Sequence, residues 1–234
     1  MATVTSIASG NWNAGSTWDS GARPGSSDDV IIANGHTVTL VQDENANSLK
    51  SESGSTIVGG GFTITIDGQA LGSAANLDGA VDAGSALNLT ITTAAATVLD
   101  VYPSSGKITN LTINHASCVA TLGAFTSILG NLTITTGELN TDASNNYALT
   151  VTGTTTIGPG SGAADQATLT CNSSTVSLGA LRQQADYAVN IENGGTFIGG
   201  TGTHTFGSLF MSQSATAKAT MTTGQVKVNG YNNS

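Results

Sequence analysis

A chain of 234 residues is long enough for a single domain with a buried core. Only 9% of it is charged, and its six basic residues (Arg23, Lys50, Lys107, Arg182, Lys218 and Lys227) are scattered among fifteen acids, for a net charge of −9. No basic cluster tracks a phosphate backbone or an anionic membrane surface, and no apolar run reaches the ~20 residues of a spanning helix, so nucleic-acid and membrane partners are not expected.

Threonine outnumbers even the 30 glycines. With few Glu, Lys and Arg to favour helix, this composition predicts strands joined by tight turns. The opening Met1 to Ile7 has neither a basic n-region nor an apolar h-region, so export through a secretory leader is not expected unless a leader has been removed. Both tryptophans, Trp12 and Trp18, fall close together and are followed by Pro24-Gly25. Two large rings near one end suit a plug over a solenoid core, so Trp12, Trp18 and Pro24 are assigned to a structural cap. Val30-Ile31-Ile32 reads as a buried strand, Asn34-Gly35 as a hairpin-like turn, and Thr37 to Leu40 as an alternating strand.

The pattern Gly10-x-Trp12, Thr17-Trp18, Gly21-x-x-Pro24, Asp28-x-Val30-x-Ile32, Asn34-Gly35, Thr37-Val38-Thr39-Leu40 resembles the opening of parallel β-helix proteins of bacterial surfaces and phage virions. The resemblance covers about 40 residues closely and the remainder through repeat style. It implies a β-helix. It leaves function open, because such folds serve adhesins, virion parts and carbohydrate-active enzymes.

Further along, Ser55 to Val58 and Phe62 to Ile66 continue the strands, and residues 68–86, small and weakly patterned, read as a long loop between rungs. Then one phrase recurs: Asn88-Leu89-Thr90-Ile91, Asn110-Leu111-Thr112-Ile113 and Asn131-Leu132-Thr133-Ile134. Alternation sends Leu89, Ile91, Leu111, Ile113, Leu132 and Ile134 to one face and threonine to the other. No such strand can bury its apolar side alone, and its return every ~20 residues predicts stacked rungs. The expectation is an all-β, right-handed parallel β-helix of roughly nine coils at ~4.8 Å each. Residues 1–40 form the cap and first coil, and residues 41–234 the body of the same domain. After the Gly158 to Gly162 turn cluster, strands are expected at Ala167 to Cys171, Thr175 to Leu178, Tyr187 to Ile191, Gly195 to Ile198, Thr205 to Phe210 and Gln225 to Val228, with a short helix at 182–188.

Few residues suggest chemistry. Asp142, Asp165 and Asp186 recur at rung-like spacing and could place carboxylates ~5 Å apart, as in a retaining glycosidase, or chelate calcium; the plain reading is three turn aspartates. Tyr147 and Tyr187 are the only aromatic rings nearby in sequence. The Thr-x-Thr pairs resemble the arrays of β-helical ice-binding proteins, but Thr112 is followed by Asn114, and ordinary strand threonines explain them. Asn88, Asn110, Asn131 and Asn172 match a glycosylation pattern and read better as turn residues capping their own loops. His36, His115 and His204 have no metal-ligand spacing, and Cys118 and Cys171 suit small core hydrophobes. No cofactor, metal or catalytic residue is expected. The predicted role is a non-enzymatic structural protein on the exterior of a tailed phage virion (head decoration, fibre or tail accessory), joined to other virion proteins as a homo-oligomer such as a trimer. The alternatives are a tailspike-like protein that binds or cleaves a host surface glycan, and an adhesin domain of the bacterial surface.

Overall fold

The structure, a computed structural model, describes residues 1–68, 75–82, 85–101, 108–159, 166–179, 189–211 and 216–228. Every pair of strands in its sheets runs parallel, and the described residues contain no α-helix. The chain winds into a β-solenoid of about eight turns, close to the nine expected, roughly 40 Å long at the usual strand spacing.

Each turn visits three faces in the same order. Face A begins with Thr3–Thr5, Asp29–Ile32 and Ser48–Ser51 and ends with Ala167–Thr170, Gly195–Ile198 and Lys218–Thr220. Face B runs from Gly10–Asn11 through Thr37–Thr39 and Thr56–Val58, and later from Thr126–Ile128 through His204–Phe206 to Val226–Val228. Face C stacks Glu44–Ala46, Thr63–Ile66, Asn88–Ile91, the starts of Asn110–Leu122 and Leu132–Asn140, then Thr155–Ile157, Val189–Ile191 and Leu209–Met211. The two long strands bend from face C into face A, with register shifts around Asn114 that absorb the corner.

The recurring phrase sets the register of face C. Leu89 pairs with Leu111 and Leu111 with Leu132, while Ile91, Ile113 and Ile134 form a second column. All six are buried in the core. One position breaks the aliphatic column: Thr155 follows Leu132, fully buried, and its Oγ1 has no hydrogen-bond partner. A buried hydroxyl without a partner costs about 1–3 kcal/mol. Thr155→Val, which keeps the shape and removes the hydroxyl, is expected to raise stability by about 1 kcal/mol in chemical denaturation; an unchanged or lowered midpoint would contradict this.

Three expectations change. Residues 68–86 are not simply a loop, because Ala75–Leu77 and Ala80–Val81 are strands on faces A and B. Alanine carries too little hydrophobic signal to mark them, although Ala75 and Leu77 are fully buried. Asn34-Gly35 is not a hairpin turn, since the strands on either side of it belong to different faces, each paired in parallel with the next turn. The strand expected over Thr205 to Phe210 is two, His204–Phe206 and Leu209–Met211, separated by the corner between faces B and C. The helix expected at 182–188 lies outside the described residues.

Candidate functional site

The polar side chains fall into three groups, each placed by a corner or an end of the solenoid.

At the N-terminal end, Trp12 and Trp18 are buried with ring centroids 5.2 Å apart in an edge-to-face arrangement. The Trp18 indole donates to the Trp12 carbonyl at 2.7 Å. Thr17 to Asp19 lies antiparallel along the outer edge of the first strand: the Ile7 N–H donates to Thr17 O, the Asp19 N–H to Thr5 O, and the Thr5 N–H to Asp19 Oδ1. Ser6 Oγ accepts the Ala33 N–H and is hydrogen-bonded to His36 Nδ1 at 2.9 Å. Ser6 is only 2% exposed, while His36 is partly exposed. Asp29 accepts from Asn47 Nδ2 at 2.6 Å and from the Ser48 hydroxyl at 2.8 Å.

Beside Pro24, Arg23 reaches Glu44, whose side chain is wholly buried, with Nη2 at 2.7 Å and Nε at 2.8 Å from Oε2. Gln42, with its amide oxygen facing Arg23, accepts from the same guanidinium at 2.7 and 2.9 Å. Burial pushes the Glu44 carboxyl above its usual range, and Arg23 pulls it partly back. A carboxyl whose value is higher folded than unfolded contributes stability below the unfolded value, lost as pH rises through the folded one. Arg23→Met is therefore expected to cost about 2 kcal/mol at pH 7, less than the 3–5 of a wholly buried pair because Arg23 is half exposed. The deficit should shrink on acidification as the buried carboxyl protonates, measured by denaturation at a series of pH values; a deficit that grows in acid would refute the assignment.

On face C the repeated asparagines form a ladder. Asn110 Nδ2 donates to Asn88 Oδ1 at 2.7 Å, and Asn88 Nδ2 to the Gly61 carbonyl. Asn110 Oδ1 accepts the Asn131 N–H, and Asn131 Oδ1 the Thr154 N–H. These side chains join neighbouring turns rather than capping their own loops, which is the correction to the sequence reading. Two residues further along each strand, Thr65, Thr90, Thr112, Thr133 and Thr156 stand in one unbroken outward column. The interruption at Asn114 falls in the next column.

The third group is the corner after face A. Asp142, Asn172 and Gly200 occupy it on successive turns, all left-handed, with φ of 66°, 48° and 62°. Asp, Asn and Gly are the residue types that tolerate this conformation. Asp142 Oδ1 accepts the backbone N–H groups of Ser144 and Asn145 at 2.7 and 2.9 Å. Those bonds, Asn145 first, hold its carboxyl below the ordinary range, which unsuits it as a proton donor. Asn172 Nδ2 donates to Asn140 Oδ1 at 2.8 Å, and the Ser174 hydroxyl to Thr141 Oγ1 at 2.7 Å. Asp165 and Asp186, like Tyr187, Lys107 and Arg182, lie outside the described residues. Tyr147 packs against the core.

Two features had no sequence signal. Asn76 Nδ2 donates to Asp100 Oδ2 at 3.4 Å across adjacent turns, while burial, reinforced by the Asp78 charge, raises the Asp100 carboxyl. Met1, Asn47, Asp67, Gly68 and Thr93 to Ala95 line an open groove of about 380 Å³. Among the described residues no group of three His, Cys, Asp or Glu could hold a metal ion. Cys118 and Cys171 are both buried and free, burial pushing the Cys118 thiol up to about 11 and Cys171 higher still. Comparison with protein-family models, curated proteins and solved structures finds no match for this chain.

Proposed function

We propose that this chain is a non-enzymatic structural component of a tailed phage particle, carried on its exterior as a head-decorating, fibre or tail accessory protein. The observation that supports this best is how the described polar groups are used. Asn88, Asn110 and Asn131 tie successive turns together, Asp142 fixes its own corner, and Asp29 and Glu44 hold the first turns in place. Asp142, the described one of the three aspartates considered for catalysis, holds its own corner through the Ser144 and Asn145 backbone N–H groups. A parallel solenoid built this way suits a load-bearing exterior element, with other virion proteins and further copies of itself as partners. The resemblance of residues 10–40 to virion and surface β-helices points the same way.

The test is to purify particles from the source culture on a density gradient and quantify this protein against the major shell protein by mass spectrometry. A fixed stoichiometry across gradient fractions is expected. Recovery with the cell envelope, or only in the particle-free fraction, would overturn the assignment, and envelope recovery would favour the adhesin reading.

A further inference from the structure

His204 lies on the inner side of face B, one turn before the last strand described, and is completely buried. Neither ring nitrogen has a hydrogen-bond partner. The ring sits between aromatic neighbours instead, with centroids 5.7 Å from Phe197 and 6.0 Å from Phe206, both near-perpendicular. At Gly199 even an added methyl group would press on His204 Cε1. Val176 and Val226 flank it in register on the adjoining turns.

Among the described residues, the charged groups nearby offer a protonated ring no partner. On the strands packed against it, Val176–Leu178 and Gly195–Ile198 carry no charge, and Val226–Val228 carries only Lys227, which alternates to the outside beside Thr205. The next strand of face A adds Lys218, paired with the outward Thr196, so both of these cations have the same sign as the imidazolium. Among the described residues the acid nearest in sequence is Glu192, at the corner before Gly195. Cys171, in the adjoining turn, is a neutral buried thiol.

Among the described residues, those from 216 to 227, beyond His204, are all exposed or only partly buried. Val226 faces inward yet is 39% exposed, whereas Val176, its counterpart two turns earlier, is fully buried.

We propose that His204 is an acid-sensitive latch on the C-terminal turns: neutral, it completes the aromatic core beneath them; protonated, it requires them to open. Burial lowers its proton affinity from the ordinary histidine value of 6.5. The opened state binds the proton more readily than the closed one, so closure is fully stable above pH 6.5 and weakens as pH falls from there towards the lowered folded value. This device is independent of where the protein is used.

Hydrogen–deuterium exchange of the whole chain at pH 7.5 and 5.5, corrected for intrinsic rates, tests it. Opening governed by one histidine of ordinary unfolded value predicts a loss of protection of up to about tenfold at the lower pH. That loss should appear in peptides covering 195–211 and 216–228 and not in 29–66. His204→Phe, which keeps the aromatic contacts without a titratable group, should abolish it. A wild type with no such loss, or the same loss in the variant, overturns the proposal. Should the variant fail to fold, proton NMR of the wild-type histidines decides: the His204 ring should stay neutral until the end turns open. Smooth titration with those turns still protected also overturns it.

Discussion

Leu111→Ala is expected to cost about 3–5 kcal/mol, the upper part of the range for buried leucine truncation. Leu111 sits in the middle of the face C column, in register with Leu89 on one side and Leu132 on the other, and is 1% exposed. The cavity left would border both neighbours. Their positions are fixed by parallel backbone bonding on two sides, so little collapse can refill the space. In a solenoid each turn is stabilised by its neighbours, so losing this contact weakens two interfaces at once. Its neighbour Thr112 faces outward in the threonine column, and Thr112→Ala should change stability by no more than about 0.5–1 kcal/mol. Urea denaturation of both variants checks the contrast. Similar small losses at the two positions would mean that the leucines do not stack as described.

Gly200→Ala should be as damaging for a different reason. Its φ of 62° already costs an alanine about 1–2 kcal/mol. The added Cβ would also run into the Asn172 backbone carbonyl of the preceding turn. That carbonyl accepts the Thr201 N–H at 2.7 Å, so pushing it away breaks a bond between turns, and no side-chain rotation can relieve a clash with backbone. A total loss of about 3 kcal/mol or more is expected. Gly35→Ala is the control: its φ is 79°, but a Cβ there meets nothing within 4 Å. Only the conformational cost of about 1–2 kcal/mol should appear there. Equal melting-temperature shifts for the two would show that the clash at Gly200 is relieved elsewhere.

The contrast between these two glycines separates what a sequence carries from what it does not. Alternation in the Asn-Leu-Thr-Ile phrases, together with their ~20-residue return, was enough to establish a parallel solenoid and to name the core columns. Periodicity is a local property, and an apolar strand face with no partner of its own must be covered by its repeats. The pattern failed where the signal was weak or the path turned. Alanines at 75 and 80 concealed two strands, and the corner at Gly207-Ser208 split what alternation alone reads as one.

The fate of the polar residues was not legible at all. Asp142 shares its left-handed corner with Asn172 and Gly200 on the two turns that follow, at separations of 30 and 28 residues that no repeat announces. Glu44 is acceptable inside the core only because Arg23, 21 residues earlier, reaches it. His204 is an unremarkable histidine in a line of text, and only the stacking of Phe197, Val176 and Val226 around it removes every partner for its ring nitrogens. By itself, then, the sequence determined the architecture, since hydrophobic periodicity acts through near neighbours. Which carboxylates, amides and imidazoles are paired, buried or stranded was decided by the tertiary structure, because winding sets those distances between residues 20 to 30 apart in the chain.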